Sequence, residues 1–402
     1  MARKKILIPG GNWDELFLIE AAHTLGLEVI TSGFKKDALG HAHAEKYIYA
    51  DSSDMNAMLK IAQDEHIDYM CSSAFDLAYV STAYVCEKLG LPGHDSLDTV
   101  LTIHQKDRFK RLARKIGLSS PIAEAFDSRD SALEYIKEHF DAGGQKLIMK
   151  PIDGGGGRGI SEVSSFEESS GAVDKAFDGS RAKRIVIEPY ITGRLHSASV
   201  FLVDRRAVFC FVEEGFVNPE NHYGVMCAIS PAKDKSEIEQ QLVAEFEKVA
   251  EALNLVDGKM HANFIVDASG KVWILEMHRR CSGDTYSRFV EYSTGIKWNE
   301  WIVKSECGMN VKDFPCGVEQ KGYHMYYVAA PKSNGTYQET VINNSLRPMV
   351  RSSCFNYKKG DEVTNYKIRK LGVIHLDFPS YEEMREVAEN LDRYFKVIVE
   401  EK

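Results

Sequence analysis

Long apolar runs are missing from this 402-residue chain: no window approaches the ~18–20 apolar residues of a membrane helix, so a membrane span is not expected. A surplus of positive charge is missing as well. Lysine and arginine number 50 against 59 aspartates and glutamates, a net charge of −9, whereas sequence-independent binding to nucleic acid needs a basic surface that displaces counterions. Neither nucleic acid nor a membrane is therefore an expected partner. The eight cysteines, Cys71, Cys86, Cys210, Cys227, Cys281, Cys307, Cys316 and Cys354, include no C-x-x-C pair. Their scatter argues against a zinc site or a disulfide frame and for the buried thiols of a cytoplasmic protein. The start, MARKKILIPGGNW, offers three clear aliphatics before Pro9-Gly10-Gly11; an export signal takes an apolar stretch of ~7–15 residues, so this reads as a strand. Internal repeats and low-complexity tracts are absent too. What remains, 44% hydrophobic and 27% charged residues, is the composition of an ordinary soluble globular protein, with length for two or three domains at ~150 residues each.

Periodicity divides the chain. Over residues 4–93 short apolar runs (5–8, 28–31, 44–51, 68–72) alternate with helical patterns (a face of Leu16, Ile19 and Ala22, then 54–65 and 75–89). That alternation predicts a parallel, doubly wound α/β layer of Rossmann-like type. The turn PGGN does not match G-x-G-x-x-G, and Thr31-Ser32-Gly33 stands where an acidic ribose ligand would follow, so a dinucleotide is not expected. Helices are predicted at 106–116 and 130–140. From 146 onward the pattern changes to strands at 146–150, 184–188, 196–203, 207–213, 260–267 and 272–277, with one long amphipathic helix at 236–253 carrying Ile238, Leu242, Phe246, Val249 and Leu253. Short turns such as Val203-Asp204-Arg205-Arg206 imply antiparallel pairing, which makes the middle of the chain α+β. The tail, roughly 320–402, predicts further strands, a turn at Lys359-Gly360-Asp361 and a helix at 380–393.

Two segments carry chemistry. In KPIDGGGGRGI, 150–160, a strand ends in Lys150 and is followed by Gly154, Gly155, Gly156, Gly157, Arg158 and Gly159. A backbone without Cβ atoms can turn its N–H groups onto phosphate oxygens and can move as a lid, with Lys150 adding a fixed ammonium. No G-K-[ST] follows, so this is not a Walker A loop. In EMHRRCSGD, 276–284, strand alternation sets Glu276, His278 and Arg280 on one face. A carboxylate, an imidazole and a guanidinium there cost desolvation unless they serve a metal or an anion. The preceding strand joins through Asp267-Ala268-Ser269-Gly270, which places Asn263 opposite Glu276 in a hairpin. One or two such oxygens together with nucleotide phosphates make a Mg2+ site.

Taken in order, these features resemble the ATP-grasp superfamily: a Rossmann-like start, Gly90-Leu91-Pro92 before a helix with Lys106, the Lys150-Pro151 glycine loop, a hinge from Glu188 to Ile191, and paired strands ending at Glu276 and Arg280. The resemblance implies a Rossmann-like section over 1–94, a small lobe with a glycine-rich lid over 95–190, and a large lobe with a carboxylase-like terminal part over 191–402. It implies ATP held by Lys106, Lys150, the 154–159 loop, the backbone of Glu188 and Ile191, and His196 where many ligases place a ribose-binding glutamate. It also implies Mg2+ (or Mn2+) on Glu276 with Asn263 and His278, and Arg280, with Lys150, at the reacting carboxylate or acyl phosphate. Three departures stand out in this sequence: Asn263 in place of a first metal carboxylate, His278 in place of an asparagine, and Leu195-His196 in place of the glutamate.

The activity so implied is an ADP-forming carboxylate–amine ligase acting on small molecules, an amino acid among them, through an acyl phosphate; a homodimer is implied only by the resemblance. A carboxyphosphate-forming carboxylase of biotin carboxylase or purine-pathway type is the alternative, and an ATP-binding protein with impaired catalysis a third. The segment FVEEGFVNPENHYG, 211–224, is expected to be a loop offering Glu213, His222 and Tyr223 to substrate, with Ser282 nearby. His41 and His43 are expected at the surface.

Overall fold

A computed structural model describes residues 3–219 and 221–401, without the side chains of Asn221 and His222; His222 thus lies outside the described side chains. The first layer is a four-stranded parallel sheet in the order Lys46–Tyr49, Glu28–Gly33, Lys5–Pro9, Tyr69–Met70. Ile6, Leu7 and Ile8 are all fully buried, as expected of a strand covered on both faces. The helices Trp13–Thr24, Met55–Asp64 and Asp76–Leu89 follow its strands, and Gly90, in the left-handed region at φ +65°, stops the last of them.

A second, small antiparallel sheet runs Glu124–Phe126, Ile185–Pro189, Leu147–Pro151, Ser161–Val163. Helices Arg129–Asp141 and Ser169–Gly179 close its apolar side around Ile136, Met149, Val173 and Ile187. The third and largest sheet has eight strands, in the order Val272–His278, Gly258–Val266, Arg194–Val203, Arg206–Asn218, Asn221–Ser230, Tyr323–Ala329, Gly372–Phe378, Val350–Phe355. Helix Lys235–Leu253 lays Ile238, Leu242, Phe246 and Val249 on this sheet, each such side chain contributing about 1.5–3 kcal/mol of apolar transfer. Across the sheet, Phe201 and Phe209 meet Trp298 and Phe314 with ring centroids 4.2–5.9 Å apart. That cluster is continuous with Ile8 and Leu18 of the first layer.

Sequence periodicity located most strands and misplaced several features. The 211–224 segment is no loop: Glu213 and Glu214 lie inside the strand Arg206–Asn218, both buried. Two adjacent carboxylates mask a strand whose both faces are covered. The 380–393 helix is two pieces, Tyr381–Glu389 and Leu391–Tyr394, broken at Asn390. Helices Leu97–His104, Ser169–Gly179, Tyr286–Thr294 and Trp298–Glu306 went unread, their polar residues hiding the apolar stripe. His41 is buried rather than exposed: its Nδ1 is 2.9 Å from Thr31 Oγ1 and its ring lies 4.2 Å from Tyr47. Among the cysteines, five are buried but Cys316 is exposed.

Polar contacts fasten the first layer to the large sheet. Ser72 Oγ donates to Glu306 Oε1 at 2.7 Å, Asp14 Oδ1 accepts from the Thr285 N–H at 2.6 Å, and buried Arg279 pairs with buried Asp95 at 2.8 Å. The outer edge of strand Val272–His278 is covered by Ser119 and Ser120: the Ile274 N–H donates to Ser119 O, and Ser120 Oγ donates to Ile274 O. Removing one member of a buried ion pair strands the other, so Arg279→Leu is expected to lower unfolding stability by about 3–5 kcal/mol. Lys60→Ala, which breaks the exposed Lys60–Asp64 pair, should cost no more than about 0.5 kcal/mol. Urea denaturation measures both, and equal losses would show that Asp95 does not depend on its partner.

Candidate functional site

The glycine loop and the hairpin of Gly258–Val266 with Val272–His278 open onto one cavity of about 1910 Å³, lined from the first layer, the small sheet and the large sheet. The loop leaves the strand Leu147–Pro151 and turns through Gly156, Gly157 and Gly159 at φ +65°, +74° and +75°, a conformation that side chains other than glycine adopt at a cost. A Cβ on Gly159 would also stand 2.6 Å from the Pro151 ring. Arg158 is exposed, its Nε 3.3 Å from Gly155 O.

Beneath the loop, Lys106 opens the helix Lys106–Ile116 and donates to Gly154 O at 2.9 Å, with its ammonium 3.4 Å from Glu276 Oε2. Glu276 pairs in register with Asn263, whose Nδ2 donates to Glu276 Oε1 at 3.0 Å. Its place deep in the cavity pushes the Glu276 carboxyl up, but Lys106, the Asn263 amide, Lys150 and Arg280 outweigh that and hold it down at about 2. The carboxylate is therefore ionised throughout the neutral range.

Lys150 Nζ lies 2.6 Å from Glu188 Oε1, and Lys110 Nζ lies 2.8 Å from Glu188 Oε2. Glu188 is thus present through its side chain as well as its backbone, a buried carboxylate shared by two ammonium groups. Burial pushes the Glu188 carboxyl up, yet the two lysines prevail and lower it; burial likewise lowers the Lys110 ammonium, against Glu188. Lys110 escaped the sequence reading. It stands one helical turn after Lys106 and beside Phe109, where a 3.6-residue period places it facing inward.

Arg280 is partly buried against the first layer: its Nε pairs with Asp76 Oδ1 and its Nη1 donates to Cys281 O at 2.8 Å. Asp76, the first residue of its helix, was also missed, since nothing local distinguishes it from any acidic helix start. Gly155 of the loop touches the same side chain, an added Cβ standing 3.0 Å from Asp76 Oδ2. His278 shares the Glu276 face, Ser282 Oγ 3.5 Å from its Nε2, and pairs across the hairpin with His261 at 4.6 Å between rings. Burial first, then Arg280, keeps His278 a neutral imidazole.

His196 lines the cavity with its ring stacked 5.4 Å from Phe264 and its Nδ1 3.0 Å from Arg194 O. Ile191 lines it too. Tyr223 donates to Glu162 Oε1 at 2.9 Å, bridging to the small sheet, and Glu213 lines the cavity from the large sheet. Sequence order thus brought Lys106, Lys150, the glycine loop, Glu188, Ile191, His196, Asn263, Glu276, His278 and Arg280 to one cavity, with Lys110 behind and Asp76 beside them. Among the described residues no group of three or more His, Cys, Asp or Glu side chains is arranged to hold a metal ion alone, and no helix is long and apolar enough to cross a membrane.

The family model of the ATP-grasp domain matches residues 108–284. The large chain of carbamoyl phosphate synthase from Thermoanaerobacter pseudethanolicus is 24% identical over 223 residues, which is 54% of this chain and 20% of that protein. The chain therefore spans about a fifth of that relative's length. Among solved structures, an L-amino acid ligase from Bacillus licheniformis superposes with a TM-score of 0.82 over 100% of both chains at 20% identity. N5-carboxyaminoimidazole ribonucleotide synthetase from Thermotoga maritima does so with a TM-score of 0.75, over 99% of this chain and 100% of the other at 18% identity. Domain match, fold and the order of the cavity-lining segments agree: this chain carries an ATP-grasp domain over residues 108–284.

Proposed function

We propose that this chain is an ATP-dependent carboxylate–amine ligase acting on small molecules in the cytoplasm. The observation that carries the reading is the convergence of Lys106, Lys150 and Arg280 around ionised Glu276, under a glycine loop with few side chains to keep an anion from its backbone. A carboxylate oxygen of the substrate attacks the γ-phosphorus, the bond to the ADP oxygen breaks, and an acyl phosphate forms. An amine then adds to the acyl carbon and phosphate departs, the nitrogen losing a proton. Such phosphoryl transfer needs cations and backbone donors around a spreading negative charge rather than a protein nucleophile. Lys106, Lys150 and the 154–159 loop take the phosphates in this reading. The backbone of Glu188 and Ile191 takes the base, His196 borders the ribose, and Arg280 takes the acyl group. Sections 1–94, 95–190 and 191–402 act as base, lid-bearing lobe and large lobe.

The donor set fits a Mg2+ ion that draws most of its ligands from phosphate and water. Glu276 supplies one ionised carboxylate, and the Asn263 amide, already beside it, supplies a neutral oxygen once turned. His278, a neutral imidazole, suits Mn2+ better than Mg2+. When bound, the ion neutralises phosphate charge.

Asn263 also favours a second reading, a nucleotide-binding protein without turnover. ADP release, followed by product mass, is the measurement that separates them, using ATP with Mg2+ or Mn2+ and pools of carboxylates and amines. ADP formation that requires both pools is expected; release with bicarbonate alone would indicate a carboxylase, and ATP binding without release in any mixture would sink the ligase. Arg280→Gln should slow product formation by about 10²–10³ while ATP affinity stays within a few fold; parallel loss of both would remove Arg280 from the acyl group. Asn263→Asp should lower the Mg2+ concentration needed for half-maximal nucleotide binding, and an unchanged titration would exclude Asn263 as a ligand.

A further inference from the structure

Phosphate chemistry leaves one end of the cavity unused. Glu213, 2% exposed, lines it from the strand Arg206–Asn218. Its Oε1 accepts from Ser197 Oγ, while Oε2 is buried without a well-formed hydrogen bond, the Tyr326 hydroxyl approaching the carboxyl. Asp284 lies within electrostatic reach of Glu213 and of buried Asp14, and all three line the cavity. Asp284 belongs to a turn whose backbone at Asp284 and Thr285 is left-handed, φ +60° and +56°. This turn directs the Thr285 N–H onto Asp14 Oδ1 at 2.6 Å. Against these three carboxyls, Lys370, 2.5 Å from Asp284 Oδ2, is the one cation in direct contact among the described residues. Asp14 comes from the first layer, Asp284 from the turn after the Glu276 strand and Glu213 from the centre of the large sheet, so the cluster is assembled by the fold.

An unpaired buried carboxyl oxygen costs free energy that a donor would recover, and a primary ammonium group brings three donors and the opposite charge. We propose that this end of the cavity binds the primary ammonium group of an amino-acid substrate whose carboxylate faces Arg280, with Glu213 selecting for the amine. The proposal rests on the ligase reading for the carboxylate end and on Glu213, Asp284 and Asp14 for the ammonium end. In the free protein, burial, partly offset by Ser197 and aided by Asp284, pushes the Glu213 carboxyl up to about 8. The other titratable groups against it, Tyr286, Tyr326 and Cys227, are held protonated by burial. At neutral pH Glu213 therefore carries a proton, which leaves to solvent when an ammonium ion takes its place. Affinity then rises with pH up to about 8 and flattens above.

The full chain, loaded with a non-hydrolysable ATP analogue and Mg2+, is titrated with each standard amino acid by calorimetry and thermal shift. For each one that binds, the matching 2-hydroxy acid is titrated too. At least one amino acid should bind with proton release at pH 7, and its hydroxy acid roughly tenfold or more weakly. Glu213→Gln should erase that preference and the proton release while the nucleotide still binds. If that variant does not fold, Ser197→Ala decides: losing its hydrogen bond should move the midpoint of the affinity–pH curve upward. No binding of any amino acid, equal binding of the hydroxy acid, or an unmoved midpoint overturns the proposal. Amino-acid binding without ADP release during turnover would leave this site standing and sink the ligase instead; ADP release with amine-free acids alone would do the reverse.

Discussion

One carboxylate, that of Glu188, lies between the ammonium groups of Lys150 and Lys110 with 1% of its surface exposed. Three charges withdrawn from water carry a desolvation penalty of several kcal/mol each, repaid only when geometry is close and further partners are present. Here Lys110 also donates to Ser120 Oγ at 3.0 Å, and Ser120 in turn donates to Ile274 of the Glu276 strand. Through that chain the strand Ile185–Pro189, the end of Leu147–Pro151, the helix Lys106–Ile116 and the Glu276 strand are fixed relative to one another. Such a network gives the small sheet a defined position over the large one, while the triad keeps a net positive charge beside the cavity.

The remaining charges follow from the same accounting of desolvation. Positive groups gather under the glycine loop, carboxyls gather around Glu213, and the first layer supplies a carboxylate to each, Asp76 as a partner of Arg280 and Asp14 beside Asp284. A chain with net charge −9 thus concentrates cations where phosphate would sit and leaves its acidic excess elsewhere. The first layer thus contributes to the site electrostatically, through Asp76 and Asp14.

Much of this was legible in the residues. Glycine runs, a lysine ending a strand and alternation through Glu276, His278 and Arg280 are local signals, and the hairpin turn at Asp267–Gly270 fixed Asn263 opposite Glu276. What stayed hidden depends on contacts across more than seventy positions. Lys110 went unread because its partner Glu188 comes to it from 78 residues away. Asp76 meets Arg280 across 204 residues, and Asp14 meets Thr285 across 271. Glu213 was misread for a different reason: Glu-Glu within a strand covered on both faces breaks the alternation by which strands are recognised.

Ser119 and Ser120, lying along the outer side of strand Val272–His278, have a bearing on how this chain coexists with copies of itself. That strand ends the eight-stranded sheet, and an open end would offer a row of unpaired amides to any passing strand. The two serines occupy carbonyls and an amide there and pin the strand's register as well; a slip of one residue would turn Glu276, His278 and Arg280 out of the cavity together. The same short segment thus shields the sheet from aggregation and keeps the charged face pointing inward.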